Sequence, residues 1–178
     1  MRIISGILKG KHLKIPKSIK VRPTTDQSKE ALFNILNNRF DFNKINILDL
    51  FSGTGAISFE FSSRGAKTIY SIDKNYNSIK FIKSFSIENN LNIKAIIADI
   101  FKYKLQFDIQ FDIIFADPPY SYKEEYYHKL ISILRTKLDN SKGSLLILEH
   151  PETITFTKDK YVIENRKYGG CSFTFFDL

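Results

Sequence analysis

The sequence predicts an α/β domain with a mainly parallel sheet and helices on both faces, and three observations predict it. From Ile45 onward, short apolar stretches alternate with helical repeats, which is the pattern of strand-helix-strand units. One apolar stretch runs through Ser52-Gly53-Thr54-Gly55 straight into a helical pattern, so a glycine turn joins a strand to a helix. Acids stand at or just after the strand ends, at Asp49, Asp73, Asp99, Asp117 and Glu149. Open parallel sheets bind ligands beyond the carboxyl ends of their strands, so these acids mark one candidate face.

The elements follow in order. Residues 1–22 read as a small β-rich appendage, with Arg2-Ile3-Ile4 and Leu13-Lys14-Ile15 as short strands around Gly6 and Gly10. Thr24-x-x-Gln27 has the spacing of a capping box, and Ser28, Ala31, Leu32, Ile35 and Leu36 recur at helical spacing to about Asn38. Strands are expected at 45–51, 67–73, 93–98, 111–116 and 143–149, with helices near 55–64, 75–90 and 122–138. Lys160–Glu164 and Ser172–Phe176 flank Tyr168-Gly169-Gly170 as a terminal hairpin.

The chemistry is densest at Ile113–Tyr120, an apolar strand that ends in Asp117-Pro118-Pro119-Tyr120. A carboxylate only accepts hydrogen bonds, so Asp117 suits an exocyclic NH2; proline keeps its carbonyl, so Pro118 offers a second acceptor. Tyr120 offers a flat face for an extruded base, a stack worth about 1 to 3 kcal/mol. The plainer reading is that the prolines end a strand and Tyr120 packs nearby. The glycine turn favours the chemical one. Its expected third glycine is Ser58, and Asp49 before it repels a pyrophosphate but welcomes a cation such as S-adenosylmethionine. Asp73, eighteen positions after Gly55, stands where a ribose-binding acid is expected, and Asp99 is placed to accept from an adenine amine; helix capping is the alternative for both. Glu149 also closes a strand, and the sequence suggests no partner for it.

At 178 residues, 43% hydrophobic and 14% aromatic, the chain fits one packed domain rather than a disordered segment. No apolar run reaches the roughly 18 residues of a membrane helix, no signal-peptide core follows the basic start, and Cys171 stands alone, so a cytoplasmic setting is expected. The net charge of +8 is uneven: Arg2, Lys9, Lys11, Lys14, Lys17, Lys20 and Arg22 all precede the first acid, Asp26. Such segregation is the footprint of phosphate docking, against a solvated lysine-rich surface as the plainer reading. Arg2, Lys9, Lys11, Lys14 and Arg22 are the candidate nucleic-acid contacts. His12, His128 and His150 lack metal-ligand spacing, so no metal is expected.

Together, Asp49–Gly55 and Asp117–Tyr120 resemble the class I S-adenosylmethionine-dependent amino-methyltransferases, a Rossmann-like fold. Arg2-Ile3-Ile4-Ser5-Gly6, Gly10-Lys11-His12-Leu13 and Arg22-Pro23-Thr24-Thr25-Asp26, with Glu30, Leu32, Phe33 and Asn34, are similar to the RsmD family, and Tyr168-Gly169 is similar to that family's ending. The resemblance implies methylation of the N2 amine of one guanine, position 966 in conventional numbering, in 16S ribosomal RNA of the 30S subunit. It implies a seven-stranded sheet with an antiparallel last strand, an RNA-gripping hairpin at 1–22 and a methyltransferase domain at 23–178. It also places the strands before Gly53 and Asp117 side by side. Asp49, Phe51, Gly53, Gly55, Asp73, Asp99 and Ile100 are the implied cofactor contacts, and Asp117, Pro118 and Tyr120 the implied catalytic set. Tyr120 stands where some relatives carry Phe. The tetrad does not by itself select guanine, so a DNA adenine or cytosine amino-methyltransferase and a non-catalytic RNA-binding assembly factor stay open. A nicotinamide oxidoreductase is disfavoured by Asp49, Ser58 and the tetrad.

Overall fold

The computed structural model describes residues 1–19, 25–137 and 143–178. Seven strands form one sheet: β1 (Asn46–Leu50), β2 (Thr68–Asp73), β3 (Ile93–Ile97), β4 (Ile113–Ala116), β5 (Leu145–Pro151), β6 (Val162–Tyr168) and β7 (Cys171–Asp177). Their order is β3-β2-β1-β4-β5-β7-β6. The first five are parallel to one another, and β7 enters antiparallel between β5 and β6. Among the described residues four α-helices, α1 (Asp26–Asn37), α2 (Ala56–Ser63), α3 (Tyr76–Glu88) and α4 (Glu124–Lys137), and a short 3-10 turn at Phe42–Lys44 complete the fold.

The central strands are buried on both faces, which is why their sequences are almost continuously apolar. Side-chain alternation divides them. Ile47, Ile113, Phe115 and Ile147 pack under α1 and α2 with Leu32, Phe33 and Phe61. Leu48, Ile114 and Leu146 point the other way, onto Tyr127, Leu130 and Leu134 of α4. Helix α3 joins α2 through Phe59, Ile79, Ile82 and Phe85. The terminal hairpin is longer than the sequence suggests, because Gly169 (φ 54°) and Gly170 (φ 90°) close it as a two-residue turn of the twist that lets strands pair to the turn.

The appendage departs most from expectation. Among residues 1–19 there is a single antiparallel bridge, Arg2 to His12, rather than two strands. Ile3 N still donates to the Lys11 carbonyl at 3.0 Å and Leu13 N to the Met1 carbonyl at 3.1 Å, whereas four other amides go to α2: Ile4 and Ser5 donate to the Glu60 carboxylate at 2.9 and 3.1 Å, Ile7 to the Ser63 carbonyl at 2.8 Å, and Leu8 to Ser63 Oγ at 2.9 Å. The expected capping threonine, Thr24, lies outside the described residues, and Thr25 caps α1 by accepting from Ser28 N at 3.1 Å. Among the described residues no helix is long and apolar enough to cross a membrane, and no His, Cys, Asp and Glu group is arranged to hold a metal ion.

Candidate active site

Parallel neighbours send β1, β2, β4 and β5 out on the same side of the sheet, and their exits surround a cleft of about 420 Å³. The cleft brings together Asp49, Phe51, Gly53, Asp73, Asp117, Pro118, Tyr120 and Glu149 from motifs far apart in the chain. Strands β1 and β4 are adjacent, with Leu50 beside Ala116, as the resemblance implied.

On the β1 side the backbone turns through Phe51 at φ 58° and Gly53 at φ 51°. A non-glycine residue held there is uncommon and persists where its surroundings over-determine it. Here the Phe51 ring meets Phe101 and Tyr122 at centroid distances of 6.3 and 6.4 Å, and Ser52 N donates to the Ile72 carbonyl at 3.1 Å. Asp73 then ties the two loops together, accepting from Gly53 N at 2.8 Å and from Asn75 N at 2.7 Å. A carboxylate has about four acceptor positions, so both oxygens retain capacity for ribose hydroxyls. Gly55 faces away from the cleft. It caps α2 at φ 76°, and a Cβ there would stand 2.7 Å from Ile82 Cγ1, so the glycine lets α2 and α3 close on each other.

Asp49 is buried, with its carboxyl on the Ser58 hydroxyl, which in turn meets Ser71. Burial pushes its pKa up to about 7, the Ser58 bonds oppose that shift, and the charge of Asp73 adds to it. The sequence reading treats Asp49 as a plain anion. The fold instead makes it a group poised between its charged and neutral forms.

The opposite wall comes from β4 and β5. Phe115 pairs with Ile147, so Asp117 and Glu149, two positions further along their strands, share one face of the sheet. Glu149 is buried and lines the cleft, and its Oε1 accepts from the Tyr120 hydroxyl at 3.2 Å. The two prolines form a turn in which the Pro119 carbonyl accepts from Tyr122 N at 2.9 Å and from the Tyr127 hydroxyl at 3.4 Å. Burial, then the nearby charges of Asp117 and Glu149, push the Tyr127 phenol up to about 12. Sequence reasoning assigns no role to Glu149 or Tyr127. The signal for Glu149 is its place at a strand end; its partner is hidden because Tyr120 is 29 positions away.

The structure does not bring every expected contact to the cleft lining. Asp99 closes a local turn by accepting from Phe101 N at 3.0 Å, and Ile100 is buried in the core on the α4 face. Of the basic leader, Lys9 and Lys14 are exposed, Arg2 pairs with Asp26 at 3.4 Å, and Lys11 bonds to Asn89 and lies over the Phe85 ring. Arg22 lies outside the described residues. Two charged anchors escape sequence reading. Glu60 is fully buried and also holds Arg64, at 2.8 Å; buried Lys29 donates to the Arg2 carbonyl at 2.6 Å and pairs with Asp26. His150 is a packing residue, its ring between Thr174 Oγ1 and the Pro151 carbonyl, and burial lowers its pKa. Cys171 is likewise buried in the core.

The family model described as conserved hypothetical protein 95 matches residues 1–177. The chain is 30% identical to an uncharacterized methylase of Rickettsia prowazekii over 95% of its own length and 94% of that protein's. It is 31% identical to the ribosomal RNA small subunit methyltransferase D of Buchnera aphidicola, covering 86% of this chain and 78% of the relative. A solved hypothetical protein of Thermus thermophilus superposes with a TM-score of 0.82 at 24% identity, over 100% of this chain and 99% of the other.

Proposed function

The chain belongs to the conserved hypothetical protein 95 family, that of the ribosomal RNA small subunit methyltransferases D, and on that premise we propose that it methylates the N2 amine of one guanine in 16S ribosomal RNA. Its methyl donor is S-adenosylmethionine. The observation that carries the reading is the meeting of the glycine turn and the Asp117–Tyr120 tetrad in one cleft.

The donor set suits that cofactor. Of the charged side chains lining the cleft among the described residues, Asp49, Asp73, Asp117 and Glu149 are acids and Lys74 alone is a cation, which favours a positively charged ligand without phosphate. Asp73 would hold the ribose hydroxyls, and Gly53 lets the backbone approach closely. Phe51 leads through Phe101 toward the turn at Asp99, the acceptor this reading gives to the adenine amine. When bound, the cofactor supplies an electrophilic methyl on a sulfonium whose leaving group is a neutral thioether.

The residues then have distinct tasks. Asp117 and the Pro118 carbonyl each accept one N–H of the guanine amine, which aims the nitrogen lone pair along the line of attack. Attack on the donor's methyl, with the thioether leaving, would make the nitrogen cationic and acidic. Its surplus proton passes to Asp117 and on to water, so a strong base is not needed. Orientation of this kind supplies roughly 7 to 11 kcal/mol of a barrier. Tyr120 stacks the base, and its bond to Glu149 fixes the ring. The base must leave its stack because its amine is otherwise hidden. The exposed lysines of the leader, Lys9 and Lys14, would meet backbone phosphates.

The test is transfer of labelled methyl from S-adenosylmethionine to 16S RNA and to 30S subunits lacking the modification, followed by nucleoside analysis. N2-methylguanosine at a single site is expected. Cofactor binding with no labelled RNA would refute the assignment.

A further inference from the structure

We propose that Glu149 is the residue that selects guanine, by accepting the N1–H of the extruded base while Asp117 and Pro118 hold its N2 amine. The inference rests on the guanine N2 reading above and names what that reading lacks, a group able to tell guanine from other amine-bearing bases. Asp117-Pro118-Pro119-Tyr120 recognises an amine, and adenine and cytosine carry amines too.

The geometry points to Glu149 for three reasons. It stands within β5 beside the level where Asp117 follows the neighbouring β4, on the same face of the sheet, and both line the cleft. The N1–H of guanine lies directly beside its N2 amine, so neighbouring acceptors on one wall can read both. Second, Glu149 is 5% exposed, and a buried carboxylate facing a cleft disfavours any base that presents a lone pair to it. Guanine is the common amine-bearing base whose ring nitrogen beside the amine carries a proton; adenine and cytosine present an acceptor there. Third, the Tyr120 hydroxyl holds Glu149 Oε1 at 3.2 Å, so the ring that stacks the base also orients the group that reads its edge. The hydroxyl that distinguishes Tyr120 from phenylalanine thereby acquires a positioning task.

The test compares guanosine with 2-aminopurine at the target position, in 30S particles reconstituted with a ligated synthetic RNA segment. 2-Aminopurine keeps the amine but has an acceptor at N1. Wild-type protein should prefer guanosine in kcat/KM by about 10- to 100-fold or more, the range of one good base-edge contact. Glu149→Gln is isosteric and turns one acceptor oxygen into a donor, so the preference should fall to near parity, mainly through loss on guanosine. Tyr120→Phe should reduce the preference a few-fold while the thermal midpoint stays put. Equal losses on both substrates in Glu149→Gln, or an unchanged preference, would overturn the inference while leaving the guanine assignment intact. Failure of wild-type protein to methylate guanosine at N2 would instead refute that assignment and take this inference with it.

Discussion

The two walls of the cleft are both acidic, yet their carboxylates do different work. On the β1–β2 wall Asp73 is bonded to the amides of Gly53 and Asn75, and Asp49 to Ser58, so these acids shape the loops before any ligand arrives. On the β4–β5 wall Glu149 is held by the hydroxyl of Tyr120, a residue that itself lines the cleft, and Asp117 lies on the same face. The lesson is that one wall is a mould and the other, on the proposed reading, supplies the reactive contacts. Damage to the first should therefore appear in stability and cofactor affinity, and damage to the second in turnover.

The sharpest way to break that contrast is Asp117→Ala. Methyl transfer should fall by at least about 1,000-fold, with the thermal midpoint and the cofactor Kd from calorimetry little changed; substantial residual turnover would remove Asp117 from the chemistry. On the other wall, Asp73→Asn keeps the shape but weakens two amide bonds and the proposed ribose grip. Cofactor affinity should drop about 10- to 100-fold together with a loss of about 1 to 3 kcal/mol in urea unfolding, and a pure affinity loss would contradict the moulding role. Gly55→Ala tests the mould without touching the cleft. The positive φ and the 2.7 Å approach to Ile82 predict a loss of about 1 to 3 kcal/mol, read by denaturation.

Two smaller effects refine the comparison. The raised pKa of Asp49 means that the folded protein keeps this proton between about pH 4 and 7 while the unfolded chain has lost it. The stability it contributes is present below pH 4 and declines as pH rises through 7, so wild type should lose ground to Asp49→Asn across that window in thermal melts. Cofactor binding should release a fraction of a proton near pH 7, seen as a buffer-dependent calorimetric heat. Finally, Lys9→Ala with Lys14→Ala should flatten the salt dependence of RNA binding by up to about two contacts, and an unchanged slope would place the RNA surface elsewhere.

Much of the molecule is legible in the chain. The strands and helices follow from apolar period, and the strand ends name most of the lining acids, because parallel topology gathers those ends on one side. What is not legible depends on contacts remote in sequence. The leader has the composition of a hairpin and keeps cross-chain bonds at Ile3 and Leu13, but Glu60, 56 positions beyond Ile4, takes the Ile4 and Ser5 amides. Asp99 has the right place after a strand, yet it is turned to its own loop, a choice made by the Phe101 amide and not by any wider pattern. Glu149 is visible as a residue and invisible as a partner of Tyr120.

The outer strand β6 carries a further consequence, one of colloidal behaviour. A sheet edge is a template on which another chain can add a strand. Here that edge bears Glu164, Arg166 and Lys167, with Arg39 clasping Glu164 at 2.5 Å and Lys167 reaching toward Glu152 at 3.9 Å. A foreign strand would have to strip water from this row of opposed charges before gaining its first backbone bond. Behind it β7 carries Cys171, Phe173, Phe175 and Phe176, the kind of apolar-rich β-segment that aggregates when bare, so the charged strand serves as their guard.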